Sequence, residues 1–329
     1  MRPPARTVFL GSGEFAVPIA IRLAAHPVVD LQAVVTAPPR PSGRGRALKA
    51  SPVGEWADRD AIPTLSPPRL RDAGAVADVA ALAPDLLVLA DYGQIVPAQL
   101  LALPRHGALN LHPSLLPRHR GASPIPAAIL AGDGETGVTL MLMDAGLDTG
   151  PIVTQRRLPL DGSETAPGLE GRLAGMAADL LADQLEAWLD GALAAQPQPD
   201  DGVTVTRPLR REDGRLDPSR SALELERQIR AYQPWPGSFV DTSQGRIIVW
   251  RARPLSGTGG EGTPGTLVDL GRRGLALVAA DGMLELVEVQ PGGRGRMSGD
   301  ELLRGRPSLA GTTVVSRPEP APSSKGTMS

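Results

Sequence analysis

The sequence predicts an α/β protein with a mostly parallel sheet, followed by a second, smaller β-barrel domain. The chain opens with a short β-rich run, a glycine turn and a helical stretch, and another apolar run follows at 84–90. A stretch at 191–202 is rich in alanine, glutamine, proline and aspartate, as expected of a linker. Beyond it, short β-like runs recur between glycine turns, which is the pattern of a small barrel.

Composition narrows the class of protein further. The 329 residues are 41% hydrophobic and 21% charged, which fits a soluble globular protein of two domains. With a net charge of only -2, any contact with nucleic acid must come from a local basic patch. The chain has no cysteine, which excludes disulfides and thiol catalysis, and we expect a cytoplasmic protein. No targeting signal or membrane-spanning run is readable, so no membrane association is expected.

The first element is a strand at Thr7–Leu10, joined by Gly11-Ser12-Gly13 to a helix at 14–23. This unit resembles a Rossmann βα unit. The spacing of Gly11, Gly13 and Ala16 also fits the loose dinucleotide fingerprint, whose acidic ribose partner follows about 20 residues later. The corresponding region at 33–36 contains no acid. A tight turn between strand and helix is therefore a better interpretation than a site for NAD.

A basic loop is predicted after the second strand, which we place at 28–35. Residues 37–51 are rich in proline and glycine, and they include the cations Arg40, Arg44, Arg46 and Lys49. Loops after strands lie on the face where open α/β sheets bind ligands, so these cations could hold phosphates. The run contains no acidic residue to neutralise them. The alternative is a solvated, mobile loop.

The remaining elements follow from apolar periodicity and turn residues. In the first domain we predict strands at 84–90, 107–111, 136–143 and 152–158, a short helix from Val96 or Pro97 to Leu103, a helix from Ser123 or Pro124 to Leu130, and a long amphipathic helix at 169–189. In the second we predict a helix at 221–231, a turn at 234–237, and strands at 247–250, 265–270, 275–279 and 284–289. The predicted divisions are 1–190 for the catalytic domain, 191–207 for a linker, 208–315 for the barrel and 316–329 for a disordered tail.

Three polar side chains form the candidate site. Asn110 and His112 stand two apart in an extended segment that Pro113 ends, so they share one face. Asp148 follows the strand at 136–143, and we expect the carboxyl ends of parallel strands to bring the three together. A carboxylate beside an imidazole stabilises its cationic form, and with an amide donor the set can hold the charge of a tetrahedral intermediate. This favours acyl transfer without a covalent enzyme intermediate. Taken singly, Asn110 is more often a turn former, His112 is as often a structural histidine, and Asp148 commonly caps a loop.

Other chemistries lack their motifs. His112 and His119 have no spacing typical of a zinc pair, and no His-Glu-x-x-His is present, so no metal site is expected. There is also no Gly-x-Ser-x-Gly elbow and no Walker glycine loop with its lysine. A serine hydrolase and an NTP hydrolase are therefore not indicated.

A longer pattern identifies a family. The chain reads Asn110-x-His112-x-Ser114-Leu115-Leu116-Pro117-Arg118-x-Arg120-Gly121, then Thr136-Gly137-Val138-Thr139, then Asp144-x-Gly146-Leu147-Asp148-Thr149-Gly150. This pattern resembles the folate-dependent formyltransferase family. The segments at 40–45, 51–53, 92–97 and 234–236 are similar to the members that formylate methionyl-tRNA. The resemblance extends from about Arg6 to about Leu303.

The resemblance implies a Rossmann-like formyltransferase domain followed by a small OB-like barrel. It implies transfer of the formyl group of 10-formyltetrahydrofolate, a co-substrate, to the α-amine of initiator methionyl-tRNA, for translation initiation. Asn110, His112 and Asp148 take the positions of the catalytic residues. Asn110 and protonated His112 would stabilise the oxyanion, while Asp148 would keep His112 charged and oriented. The alternative is a formyltransferase that acts on a sugar nucleotide or on glycinamide ribonucleotide.

The same resemblance assigns binding residues. The folate is expected along Tyr92, Gly93, Gln94, Ile95, Val96, Ser114, Leu115, Leu116, Pro117 and Asp144. The tRNA is expected at Arg40, Arg44, Arg46 and Lys49, with Arg44 foremost, and the barrel would add phosphate contacts, for example through Arg246, Arg251 or Arg253. A monomer is expected. The sequence departs from the family's usual Gly-Thr-Pro at Gly11-Ser12-Gly13, and Ser123 replaces the commoner alanine.

Overall fold

The structure is a computed structural model, which describes residues 3–42, 47–255 and 262–315. The chain divides into two compact units, Met1–Pro208 and Leu209–Ser329. The predicted tail at 316–329 lies outside the described residues. None of the helices in the described part of the chain is long and apolar enough to cross a membrane.

The first unit is an α/β domain. Its strands are β1 (Ala5–Gly11), β2 (Val29–Val35), β3 (Arg40–Ser42), β4 (Ala47–Lys49), β5 (Thr64–Leu65), β6 (Leu86–Ala90), β7 (Ala108–His112), β8 (Arg120–Gly121), β9 (Glu135–Leu142), β10 (Ile152–Pro159) and β11 (Val205–Thr206). Its helices are α1 (Ala16–Ala24), α2 (Pro52–Arg59), α3 (Ala73–Ala81), α4 (Ala98–Leu101), α5 (Pro124–Ala131) and α6 (Ala166–Leu189).

A seven-stranded sheet organises this unit, in the order β10-β9-β7-β6-β1-β2-β5. The strands from β7 to β5 pair in parallel, whereas β9 runs antiparallel to β7 and β10 antiparallel to β9. All five residues of β6 are buried, as befits a parallel strand covered on both faces. The predicted mostly parallel sheet is confirmed, with an antiparallel edge.

Helices cover the faces of the sheet. On one face, Val79 of α3 and Leu100 of α4 pack against Val8, Leu10 and Leu87. Strand residues alternate between faces, so Phe9 and Val88 point the other way, where α1 lies against α6. The long helix α6 begins at Thr165, whose hydroxyl accepts a hydrogen bond from the Gly168 amide at 3.4 Å.

Two helices of the first unit were not predicted. Helix α3 is rich in alanine and has a single buried residue, Val79, so it shows little apolar periodicity. Helix α2 does have a start signal in the sequence: Ser51 caps the helix, and Pro52 occupies its first turn. The basic stretch at 37–51, predicted as a loop, instead contains the antiparallel pair β3 and β4.

The segment predicted as a linker is held by the first unit. Gln196 exchanges backbone hydrogen bonds with Ile152, at 2.7 and 2.8 Å. Further on, β11 pairs in parallel with β8. Residues 191–207 are therefore packed as part of the first unit.

The second unit is an antiparallel β domain, in which two α-helices are present among residues 209–255 and 262–315. Its elements are α7 (Ala222–Ala231), β12 (Ser238–Thr242), β13 (Gly245–Leu255), β14 (Leu267–Asp269), β15 (Leu275–Val278), β16 (Met283–Pro291), β17 (Met297–Ser298) and α8 (Gly299–Gly305). The strand order is β12-β13-β16-β15-β14, with β17 beside β16. This curled sheet confirms the small OB-like domain, and β12, β17 and α8 are additions to the predicted elements.

The core of the second unit lies between its sheet and its helices. Leu225 and Ile229 of α7 pack with Val249, Leu277 and Leu286 of the sheet. Helix α7 is fixed at its start by a capping box, in which Ser221 accepts from the Glu224 amide and Glu224 accepts from the Ser221 amide.

Candidate active site

Strand β7 presents two of the three predicted catalytic side chains. It lies between β6 and β9, and Asn110 and His112 are alternate residues on it, so they share a face. His112 is buried, with 4% of its surface exposed, while Asn110 is half-buried. The predicted placement of these two residues by strand alternation is the one that the structure has.

Asp148 reaches the same place by a route that differs from the predicted one. We expected parallel strands to bring the three residues to one edge, but β9 is antiparallel to β7, with Leu142 opposite Leu109. The end of β9 therefore lies beside the start of β7, and the loop at 143–151 carries Asp148 back towards His112. Asp148 adopts a left-handed backbone with φ of 51°. Its Oδ2 lies 3.7 Å from His112 Nδ1, and its Oδ1 lies 3.5 Å from Asn110 Nδ2.

The hydrogen bonds of His112 define which nitrogen faces the site. Its Nε2 lies 2.9 Å from the carbonyl oxygen of His119, and a carbonyl oxygen can only accept. Nε2 therefore carries a proton, and Nδ1 is the nitrogen that faces Asp148. The imidazole is thus held between the carbonyl of His119 and the carboxylate of Asp148. Such a group can stabilise an oxyanion or donate a proton.

A partly buried network of Arg118, His119 and Asp133 lies next to the carbonyl that holds His112. His119 Nε2 donates to Asp133 at 2.7 Å, and the guanidinium of Arg118 donates to the same carboxylate. Burial raises the pKa of Asp133, but the hydrogen bonds from Arg118 and His119 outweigh it and hold the pKa below its usual range. Burial lowers the pKa of His119. The network supports the His119 carbonyl that holds His112, and the sequence reasoning did not find it.

A second set of contacts fixes the turn that follows His112. Thr139 on β9 donates to the carbonyl of Ser114 at 2.7 Å and accepts from the amide of Leu116 at 3.1 Å. Gln155 on β10 donates to the carbonyl of Leu116 at 2.9 Å. The Ser114 hydroxyl is fully buried and donates to the carbonyl of Arg118 at 2.6 Å. The Ser114 hydroxyl thus stabilises the turn. Leu116 and Pro117 in the same turn are also buried.

The other residues assigned to folate fall into two groups. Gln94 bridges the amide of Leu70, at 2.8 Å, and the carbonyl of Pro67, at 3.2 Å, so its side chain ties two loops together. Asp144 accepts hydrogen bonds from Gly146 and Thr149 within its own loop. Tyr92 and Val96 are buried, and Leu115 is half-buried.

By contrast, parts of the same segments are open. Ile95 is 84% exposed and Leu147 is 60% exposed, and Gly93 has a φ of 75° with open space where a Cβ would stand. Burial raises the pKa of Tyr92 to about 12, so its hydroxyl keeps its proton at neutral pH. That buried hydroxyl has no partner among the described residues. The exposed side chains of Ile95 and Leu147 leave apolar surface for a ligand.

The predicted tRNA residues are described in part. Arg40 and Lys49 lie on the hairpin of β3 and β4, both exposed, and Arg44 and Arg46 lie outside the described residues. Lys49 forms an ion pair with Glu55 of α2 at 3.4 Å. Glu55, which lies outside the basic run at 37–51, therefore neutralises part of its charge.

The barrel arginines have partners of their own. Arg246 pairs with Asp241 at 2.8 Å and lies over the ring of Phe239. Arg253 lies 3.7 Å from Glu285, and Arg251 is exposed. The three arginines therefore differ in how freely they could contact a phosphate. The structure also shows Arg296 stacked on the ring of Trp250, an arginine that was not among the predicted tRNA contacts. Within the described ranges, no group of three potential metal ligands comes together.

Comparison with known proteins gives two family matches. The profile described as "Formyl transferase" matches residues 5–185, and that described as "Formyl transferase, C-terminal domain" matches residues 208–307. The methionyl-tRNA formyltransferase of Myxococcus xanthus is 41% identical over 307 residues, 93% of this chain and 97% of that protein. That of Roseiflexus sp. (strain RS-1) is 44% identical over 302 residues, 92% of this chain and 93% of that protein.

Solved structures support the fold. HypX from Aquifex aeolicus in complex with tetrahydrofolic acid is 16% identical, with a TM-score of 0.58 over 91% of this chain and 47% of that one. WlaRD, a sugar 3N-formyl transferase, is 15% identical, with a TM-score of 0.62 over 88% of this chain and 99% of that one. Identities this low show a shared fold only. The substrate is indicated instead by the more similar relatives.

Proposed function

The chain belongs to the formyl transferase family, and from that membership we propose how its residues transfer a formyl group to methionyl-tRNA. The curated relatives at 39–44% identity are methionyl-tRNA formyltransferases, while the sugar formyltransferases are only distant structural neighbours. Formylation of methionyl-tRNA is therefore the function of this chain. The observation that carries the mechanism is the meeting of Asn110, His112 and Asp148.

The reaction needs a charge to be held and a proton to be moved. The α-amine attacks the carbonyl carbon of the formyl group on N10 of 10-formyltetrahydrofolate, and the carbon becomes tetrahedral with a negative oxygen. The C–N10 bond then breaks, so the products are formylmethionyl-tRNA and tetrahydrofolate. The amine loses one proton and N10 gains one, which balances the step without metal, oxidant or nucleotide.

The three side chains divide these tasks. Asn110 Nδ2 and the Nδ1 proton of His112 are the donors for the oxyanion. Asp148 keeps His112 charged and accepts the proton of the attacking amine on its way to N10. Positioned donors and acid–base groups of this kind contribute about 10²- to 10⁴-fold each.

The folate is proposed to lie along Tyr92–Val96 and Asp144–Asp148. The exposed side chains of Ile95 and Leu147 offer apolar surface on both segments. The buried positions Ser114, Leu116 and Pro117 would contribute through the shape of the turn rather than through polar side-chain contacts. Gln94 and Asp144 would shape the loops through their internal hydrogen bonds.

The tRNA is proposed to meet Arg40, Arg44, Arg46 and Lys49. The exposure of Arg40 and Lys49 and the run's excess of positive charge support this assignment, because phosphate contacts position nucleic acids. We further propose that the substrate is the initiator tRNA and that the protein acts as a monomer in the cytoplasm, where translation begins. Light scattering of the purified protein tests the monomer.

The test of the function is direct. Purified protein, 10-formyltetrahydrofolate and methionyl-tRNA should give formylmethionyl-tRNA, while an amino sugar nucleotide and glycinamide ribonucleotide should give little product. Absence of formylmethionyl-tRNA at high enzyme concentration would overturn the proposal.

A triple Arg40→Ala, Arg44→Ala, Arg46→Ala variant tests the basic loop and should lose formyl transfer to methionyl-tRNA. Unchanged transfer would show that the basic loop does not bind the tRNA.

A further inference from the structure

Residues 198–206, which we name the strap, contact two loops beside the catalytic side chains. One loop is 143–151, which bears Asp148, and the other is 113–121, which follows His112. The strap lies within the segment that the sequence predicts as a linker. At each end, side chains of the strap form hydrogen bonds with the backbone of one of these loops.

At the start of the strap, the amide of Gln198 ties down Asp148. Its Nε2 lies 2.8 Å from the carbonyl oxygen of Asp148 and 2.8 Å from that of Gly150. Its Oε1 accepts from the guanidinium of Arg120, at 3.1 and 2.8 Å. A guanidinium can only donate, which fixes the orientation of the amide, and both of its N–H groups are used. Gln198 therefore joins the two loops through a half-buried side chain.

The backbone of Asp148 needs such support. Its φ of 51° places a residue other than glycine in the left-handed region, which side chains rarely adopt. The two carbonyls that Gln198 holds belong to Asp148 itself and to Gly150 just beyond it. Loss of both hydrogen bonds would free the loop to relax, and the carboxylate would move away from His112.

At its other end, the strap holds the second loop. Thr204 accepts from the amide of His119 at 2.8 Å, and Thr206 donates to the carbonyl of Arg120 at 2.9 Å. The amide of Gly121 in turn donates to Asp148 Oδ2 at 2.8 Å. The carbonyl of His119 holds His112, so the strap supports the partners of both His112 and Asp148.

We propose that Gln198 is a positioning residue for formyl transfer, which holds the Asp148 carboxylate at its working distance from His112. The proposal rests on the proposed function. Gln198 acts through the backbone of Asp148 and touches no reacting atom. A misplacement of about 1 Å at a catalytic group can lower the rate about 10²-fold, which sets the expected scale.

Gln198→Glu is the first test, because it is nearly isosteric. The carboxylate can still accept from Arg120, but an oxygen now faces the two carbonyl oxygens of the loop, so the Asp148 contacts are lost. We expect kcat to fall about 10- to 100-fold with KM for both substrates within about threefold. The matched control is Gln196→Glu, just before the strap, where the same change of charge falls on an exposed side chain. The control should keep its activity.

A double-mutant cycle separates positioning from a general loss of structure. If Gln198 acts through Asp148, Gln198→Glu should lower the residual rate of Asp148→Ala by less than about twofold. An equal loss in both backgrounds, or full activity of Gln198→Glu, would overturn the proposal. Gln198→Met, which has the same length and no charge, should show the same loss if Gln198→Glu does not fold. A wild-type protein without formyl transfer would instead refute the proposed function.

Discussion

Replacement of Asp148 by asparagine isolates the charge of that residue. Asparagine has almost the same shape, tolerates the left-handed backbone at this position, and keeps an oxygen for the Gly121 amide. The loop should therefore survive. The change removes the attraction between the carboxylate and a protonated His112, together with the long 3.5 Å contact from Asn110 Nδ2, because the new amide nitrogen cannot accept a hydrogen bond.

The distance in the structure sets the size of the effect. At 3.7 Å and an effective dielectric constant of about 20, two unit charges attract by about 4.5 kcal/mol. The value of 20 suits this pair, because the side chains of His112 and Asp148 are only 5% and 15% exposed. If the oxyanion is stabilised by the charged imidazole, this energy corresponds to a fall in kcat of about 10³-fold, since each 1.36 kcal/mol is tenfold.

The assay is a steady-state measurement of kcat with saturating methionyl-tRNA and 10-formyltetrahydrofolate, followed by quenching and separation of the formylated product. Filter binding gives the affinity for tRNA, which should stay within about twofold. A kcat loss below tenfold would refute the electrostatic role of Asp148. A comparable loss of tRNA affinity would show instead that Asp148 serves binding.

Three further changes test stability and binding. Asp133→Asn should lower the free energy of unfolding by about 1–3 kcal/mol at pH 7, because a buried network loses its charge. Since the pKa of Asp133 is lowered by folding, this stabilisation is present above the usual pKa of an aspartate, about 4, and is lost as the pH falls through the lower pKa of the folded state. The free energies of unfolding of the two proteins in urea should therefore approach each other as the pH falls below about 4; a difference independent of pH would contradict this. Gln94→Ala should lower Tm through its lost loop contacts, and a changed KM for folate at unchanged Tm would indicate a direct contact with folate. Ser221→Ala should cost about 1 kcal/mol through the lost helix cap, measured by urea unfolding, with Ser219→Ala as a control outside that cap; equal losses would contradict the capping role.

The local pattern was informative wherever a short-range rule sets the outcome. Alternation of side chains along a strand placed Asn110 and His112 on one face, because that period is a property of the extended backbone. Apolar periodicity likewise predicted α6 to within a few residues at its start. Helix α3, made mainly of alanine, offered no such contrast and was missed.

The sequence by itself determined the order of most elements, the two-part architecture and, through its motifs, the family, and it supplied the candidate catalytic residues. Only the tertiary structure decided that β9 runs antiparallel to β7, that Asp148 returns through the loop after it, and that Gln198 bridges the loops beside it. The physical reason is that strand direction and these hydrogen bonds join groups distant in the chain. Local propensity and spacing specify conformation over a few residues, whereas the partner of each group depends on how the whole sheet packs.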